Sequence, residues 1–270
     1  MLDRFEREIN YIRISVTDRC NLRCSYCMPE EGIFLKSHHD IISYENILAL
    51  VKAAVKLGIN KVRLTGGEPL VRKGISHLVR GLRATPGVCE LVMTTNGVLL
   101  GEMAVELKDA GINRLNISLD TIDPKKYKSI TRVGDISHVL RGINAALAAG
   151  FKNTKINMVI IPGFNEAKED VRAMEKFCEK KGLLLQRINH YSLTDLDSIN
   201  KKYRAERPLS CSECNRIRVT ANGKLKPCLF SDEEYDIDSD DIAGSLREAI
   251  LRKPEHGTCC KTKQNWQIGG

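Results

Sequence analysis

Aromatic side chains are scarce in this 270-residue chain, 5% of residues with a single tryptophan. That scarcity argues against a stacking platform for extended single-stranded nucleic acid, where successive bases need successive aromatic faces. No apolar run approaches the roughly 20 residues of a membrane-spanning helix. The opening stretch MLDRFEREINYIR has no apolar segment of the kind that directs secretion. A G-x4-G-K-S/T loop is missing too, so any nucleotide must be held by side-chain cations rather than by a glycine-rich backbone cradle. There is no low-complexity stretch and no repeat beyond strand–helix alternation. The expectation is a soluble, cytoplasmic protein in a reducing compartment, long enough to bury a sizeable core.

What is present is positive charge and sulfur. The net charge of +8 calls for an anionic partner. Basic residues are spread through motifs such as KVRLT and CNRIR rather than gathered into a tail, which favours a phosphate-bearing small molecule over nucleic acid. The ten cysteines fall largely into tight clusters, unlike the framework of a small disulfide-rich domain.

Short apolar, often β-branched runs at 11–16, 61–65, 91–95, 114–119, 155–160 and 183–188 are each followed by a longer amphipathic segment. Such alternation predicts βα units and a parallel sheet. The helical period is clearest at 44–58, 137–150 and 169–182, which end in Gly58, Gly150 and Gly182, as left-handed caps require. Six such units are too few for a closed eight-stranded barrel. The predicted fold is α/β, a partial (βα)6 TIM-type barrel over 1–188, with a connection and small C-terminal cluster-binding extension over 189–270. The acidic run at 231–241 reads as a solvated turn into a final helix, 242–252.

Cys20, Cys24 and Cys27 form C-x3-C-x2-C directly after the first strand. Thiolates suit zinc, copper(I) and iron–sulfur clusters. Structural zinc is usually closed by four ligands in C-x2-C pairs, and no fourth thiol is near; on a four-iron cluster three thiolates leave one iron open. A zinc knuckle is the competing reading. Cys211, Cys214 and Cys228 make a second such set, for which the competitor is a zinc ribbon completed by Cys259 or Cys260. Gly66-Gly67-Glu68-Pro69 follows the second strand, Asn96-Gly97 the third and Asp120 the fourth, so these loops open on one rim, where barrel ligands bind. Cys89 and Cys178 read as packed thiols, His38-His39 as part of a mobile loop, and Trp266 as an anchor for the tail.

The segments TDRCNLRCSYC (17–27), KVRLTGGEPL (61–70), TTNG (94–97), NISLD (116–120), CSECNRIR (211–218) and IGG (268–270) together resemble the GTP 3',8-cyclase family of radical S-adenosylmethionine (SAM) enzymes along nearly the whole chain. The cysteine triplet and GGEP alone speak only for radical SAM; CNRIR and the terminal Gly-Gly are more specific. The resemblance implies two 4Fe-4S clusters. Cys20, Cys24 and Cys27 hold the catalytic one, whose open iron SAM chelates and whose reduction yields a 5'-deoxyadenosyl radical. Cys211, Cys214 and Cys228 hold the second, near the purine of GTP. It further implies Tyr26, Gly67, Glu68, Thr95, Asn96 and Ser118 around SAM, and Arg13, Lys61, Arg63, Lys155, Arg187, Arg216 and Arg218 on the substrate.

Elementary electrostatics supports that last set, since several cations inside a barrel are costly without an anion; the competing reading is that they pair with Asp and Glu or reach solvent. The implied reaction cyclises GTP in molybdenum-cofactor (molybdopterin) biosynthesis. The expected partners are a reductant such as a flavodoxin or ferredoxin and a second copy in a homodimer, with no membrane and no nucleic acid. Two departures stand out: the connection 188–210 is short for the family, and Arg187-Ile188-Asn189-His190 replaces an Arg–apolar–Glu pattern. They affect the substrate cover and phosphate recognition, and neither triplet. The rival functions are a radical SAM peptide maturase with an auxiliary cluster and a non-catalytic zinc module.

Overall fold

The computed structural model describes residues 1–34, 36–194, 210–262 and 268. Within them the chain runs β1 (Tyr11–Ser15), α1 (Tyr44–Lys56), β2 (Lys61–Thr65), α2 (Ile75–Arg83), β3 (Glu90–Thr95), α3 (Leu100–Ala110), β4 (Arg114–Ser118), α4 (Pro124–Thr131), α5 (Ile136–Ala148), β5 (Lys155–Ile160), α6 (Lys168–Lys181) and β6 (Leu184–Asn189). It ends with β7 (Arg216–Val219), β8 (Leu225–Lys226) and α7 (Ile242–Leu251). Helix starts are set by short polar side chains: Ser43 accepts from Asn46 N–H before α1, and Asp123 accepts from Lys125 and Lys126 N–H before α4, where Pro124 takes the position that needs no donor.

The strands form one sheet in the order β6-β5-β4-β3-β2-β1-β7-β8. Neighbours are parallel from β6 to β7, and β8 turns back antiparallel. This is the expected α/β architecture, an open array of six βα units with a C-terminal extension. β7 extends the sheet on the free side of β1, so β1 is hydrogen-bonded to the barrel by one edge and to the C-terminal region by the other.

Side-chain alternation divides the two faces. Ile12, Ile14, Val62, Leu64, Leu91, Met93 and Ile117 are fully buried against the helices. The other face carries Tyr11, Arg13, Lys61, Arg63, Asn116 and Lys155, in register across β1, β2, β4 and β5. Parallel strands packed on both faces read as near-continuous apolar runs. Here one face is polar, so the concave side is a site rather than a second core.

One local expectation changes. Cys178 is buried, but Cys89 is exposed in the turn into β3, so only the former is a packed thiol. His38-His39 sits in a short 3-10 turn, His38–Asp40, with Ser37 Oγ donating to Asp40 Oδ2 at 2.8 Å. Trp266 and the terminal Gly269-Gly270 lie outside the described residues.

The N-terminal loop is fastened to the far end of the chain. Arg7 Nε pairs with buried Asp3 at 2.7 Å. The same guanidinium donates to Cys211 O at 3.0 Å, Glu255 O at 2.9 Å and Pro254 O at 2.7 Å. Removing one partner of a buried pair strands the other charge, at about 3–5 kcal/mol. Arg7→Ala is therefore expected to lower the urea-unfolding free energy by that amount. Arg252→Ala, which breaks an exposed pair with Glu248, should lower it by under about 1 kcal/mol. Equal effects would show that the clip carries no special weight.

Candidate active site

The first cysteine loop leaves the C-terminal end of β1 and is held by guanidinium groups that bind its carbonyls. Arg23 Nη1 donates to Cys20 O and Leu22 O, and Arg132 Nη1 donates to Arg23 O and Met28 O. Arg132 caps α4 with a φ of 63°, a left-handed conformation that side chains seldom adopt. Cys27 N–H and Met28 N–H both donate to Cys24 O, curling the loop into one turn. Burial, reinforced by mutual repulsion, raises the Cys24 thiol well above its ordinary value and Cys27 to about 12. Tyr26 Oη donates to Asp120 Oδ2 at 2.8 Å, and the other oxygen of Asp120 accepts from Val159 N–H. Burial lifts that carboxyl to about 6.

The GGEP turn is docked backbone to backbone on the same loop. Gly67 N–H donates to Thr17 O and Glu68 N–H to Arg19 O, each at 2.7 Å. A Cβ at Gly67 would stand 2.2 Å from Arg19 O, so only glycine admits this approach. Glu68, 1% exposed, accepts from Leu70 N–H, Thr95 Oγ1 and Asn96 N–H. Asn96 Nδ2 in turn donates to Asn21 Oδ1 at 2.7 Å and lies 3.9 Å from Cys20 Sγ. Cys20, Gly67, Glu68, Thr95 and Asn96 are thus one connected set, with Ser118 ending β4 on the same rim.

Below this rim the register aligns cations sideways. Arg13 is flanked by Arg63 and Arg218, and Tyr11, one row down, by Lys61 and Arg216. Burial, then repulsion from Arg218 and Arg63, holds the Arg13 guanidinium well below its ordinary value. Burial also lowers Arg63 and Arg218. Tyr11 Oη, Arg63 Nε, Arg114 Nε, Asn116 Oδ1 and Arg216 Nε, all on this face, are buried without a hydrogen-bond partner. Buried polar atoms are normally paired, so these mark the place of a polar occupant. Lys155 joins the face through its register with Asn116.

One member of the expected set, Lys61, is on the inner face but paired, and another, Arg187, faces the other way. Lys61 already pairs with Glu90, which also binds Arg114 at 2.8 Å. Arg187 is in register with Met158 on the helix-facing side and pairs with Glu175 of α6 at 3.4 Å.

The second triplet lies at the opposite end of the sheet from the first. Cys211 and Cys214 precede β7, which runs parallel to β1, and Cys228 follows β8, which turns back to the same end. A Cβ at Gly257 would meet Cys228 Sγ at 3.1 Å, so the tail packs directly over this thiol. Cys260 is buried in a small satellite core with Leu193, Phe230 and Ile268, against which Cys228 packs. Among the described residues no three His, Cys, Asp or Glu side chains gather tightly enough for a single ion. A four-iron cluster, which gives each thiolate its own iron, takes ligands set farther apart. The donor sets are all sulfur, as such a cluster requires.

Sequence reasoning missed Arg132, Glu90, Arg114 and the buried Lys253, whose Nζ donates to Arg216 O and Pro227 O. Glu90 and Arg114 open β3 and β4, and strand alternation alone could have placed them on the polar face. Arg132 and Lys253 act on carbonyls distant in sequence, and no local pattern announces them.

The radical SAM superfamily model matches residues 14–178. The curated GTP 3',8-cyclase of Alkaliphilus metalliredigens (strain QYMF) is 42% identical, over 94% of this chain and 93% of its own. That of Moorella thermoacetica (strain ATCC 39073 / JCM 9320) is 44% identical over 95% of each. The GTP 3',8-cyclase of Peptoclostridium acidaminophilum is 43% identical over 100% of this chain and 98% of its own. Its alignment of 320 positions spans all 270 residues of this chain, so about fifty aligned positions have no residue here. Among solved structures, Streptococcus suis SuiB bound to its precursor peptide SuiA superposes with a TM-score of 0.68 at 17% identity, covering 93% of this chain and 72% of SuiB. At that identity the likeness shows the fold alone.

Burial raises Glu68 to about 7 against the pull of its three donors. A carboxyl with a folded-state pKa above its unfolded value binds more protons when folded, so its stabilising effect grows as pH falls through 7 and is complete below the unfolded value near 4.5. Glu68→Gln should remove about 3 kcal/mol of that dependence. The smaller slope due to Asp120, of the same sign, should remain. Urea unfolding of cluster-free protein from pH 4.5 to 8 measures both; an unchanged slope would show Glu68 to titrate normally.

Proposed function

The chain belongs to the radical SAM superfamily and, within it, to the GTP 3',8-cyclase family, and we infer that it converts GTP to (8S)-3',8-cyclo-7,8-dihydroguanosine 5'-triphosphate in molybdenum-cofactor biosynthesis. It uses SAM and two 4Fe-4S clusters. These cofactors supply the radical that removes hydrogen from ribose C3', so that C3' can bond to C8 of guanine.

The single observation that carries the reading is the cation row Arg63–Arg13–Arg218, with Arg13 and Arg218 buried and Arg63 half-buried, between two thiol triplets at opposite ends of β1 and β7. Strands rise about 3.3 Å per residue, so the rows beneath the rim span a nucleotide-sized distance. In this reading Cys20, Cys24 and Cys27 hold the catalytic cluster, and Tyr26, Gly67, Glu68, Thr95, Asn96 and Ser118 form the SAM rim. Cys211, Cys214 and Cys228 hold the second cluster. Arg13, Arg63, Lys155, Arg216 and Arg218 bind substrate, and Lys61 contributes by sharing Glu90 with Arg114. Arg187, turned toward α6, stands outside this set.

The division into a 1–188 barrel and a 189–270 cluster region, a flavodoxin- or ferredoxin-type reductant, a homodimer and a cytoplasmic location belong to the same proposal. No helix among the described residues is long and apolar enough to cross a membrane. A peptide maturase is not favoured, because peptide-binding SuiB is 17% identical whereas the cyclases exceed 40%.

Anaerobically reconstituted protein should hold roughly eight irons, and Cys24→Ala about half of them. Stoichiometric zinc with negligible iron would overturn the cluster assignment. Each lost charge-assisted contact is worth about 1.5–3 kcal/mol, so Arg63→Ala should weaken GTP binding roughly tenfold or more and erase much of the preference for GTP over GMP. Arg218→Ala should weaken both guanine nucleotides. SAM cleavage with neither binding nor consumption of GTP would remove the cyclase assignment.

A further inference from the structure

Lys253, the residue after the cap of α7, is 3% exposed. Its ammonium donates to Pro227 O at 2.7 Å and Arg216 O at 3.0 Å. Pro227 immediately precedes Cys228, and Arg216 is two residues after Cys214, so the charge sits where the two ligand-bearing segments meet. An ammonium has three donors. Two go to these carbonyls. None of these bonds goes to a carboxylate among the described residues. Burying an ammonium is expensive unless a countercharge stands beside it, and the two segments that Lys253 bonds carry Cys214 and Cys228, thiols that become anionic as cluster ligands. Arg7, which binds Cys211 O together with Pro254 O and Glu255 O, fixes the segment that carries this lysine.

We propose that Lys253 is the buried countercharge of the C-terminal iron–sulfur cluster, a positioning residue that sets that cluster's reduction potential through the charge it holds between the two ligand-bearing segments. The proposal rests on the reading of Cys211, Cys214 and Cys228 as cluster ligands. On taking one electron from a reductant the core passes from 2+ to 1+, and no proton need move. The site then carries one more negative charge beside a fixed ammonium, so Lys253 favours the reduced form. Net charge and hydrogen bonds to sulfur are the levers by which proteins move such potentials. GTP, if it binds at this cluster, therefore meets a centre already biased by the protein.

The test uses the full chain carrying Cys24→Ala, so that only the C-terminal cluster is loaded, with anaerobic titration by dithionite in the presence of mediators, iron assay and electron paramagnetic resonance. Lys253→Met keeps length and burial but not charge, and Lys253→Arg keeps charge. Arg252→Gln, an exposed neighbour paired with Glu248, is the control. Lys253→Met is expected to shift the reduction equilibrium at least tenfold toward the oxidised form, 59 mV for a one-electron couple. Lys253→Arg and Arg252→Gln should stay near the parent value. Iron lost from Lys253→Met but kept, with the parent midpoint, in Lys253→Arg would also support the countercharge. An unchanged midpoint in Lys253→Met would overturn it. So would equal shifts in the Met and Arg variants, or iron loss from both with the fold intact, because packing rather than charge would then be at work. If the Cys24→Ala parent and every variant are iron-free alike, the ligand assignment itself fails and the inference falls with it.

Discussion

The double pairing of β1 is the constraint on which the rest depends. Its register with β2 places Arg13 beside Arg63 and carries the first cysteine loop to the rim, and its register with β7 places Arg13 beside Arg218 and sets the second triplet at the other end. A strand slip of one residue would exchange faces, turning Ile12 and Ile14 into the site and Arg13 into the helix layer. The apolar side therefore enforces the register of the polar side, and Asn215 Nδ2 to Asn10 Oδ1 at 2.9 Å fixes β7 where it begins.

Electrostatics and packing pull in opposite directions on the inner face. Three guanidinium groups abreast are unfavourable in a folded chain without ligand, and burial holds each below its ordinary value. Among the described residues Glu90, between Lys61 and Arg114, supplies negative charge to this face.

Strand positions and the helices at α1, α5 and α6 were legible because each rests on local pattern: alternation or the 3.6-residue period. That Lys61 and Arg63 share one face, and Arg216 and Arg218 likewise, was legible for the same reason. Adjacency was not. The place of β7 beside β1 joins residues about two hundred apart, and nothing in CNRIR says which edge it will occupy. Arg187 shows the limit in the other direction, since a cation on the correct strand faces Glu175 once the register with Met158 is fixed. Cys89 was misread because a thiol in an apolar neighbourhood of sequence need not be interior. The loop clamps Arg132 and Lys253 bind main-chain oxygens, which look alike in every sequence.

The clip at Arg7 bears on the order in which the protein can be completed. Its bonds to Cys211 O and Glu255 O span 204 and 248 residues, so the Arg7 segment leaves the ribosome long before the groups that fasten it. The barrel units can pair as they emerge, and the Cys20–Cys27 loop is available early. β1, however, keeps one edge open until β7 arrives. During synthesis that edge is an unpaired template of the kind that invites pairing with another chain.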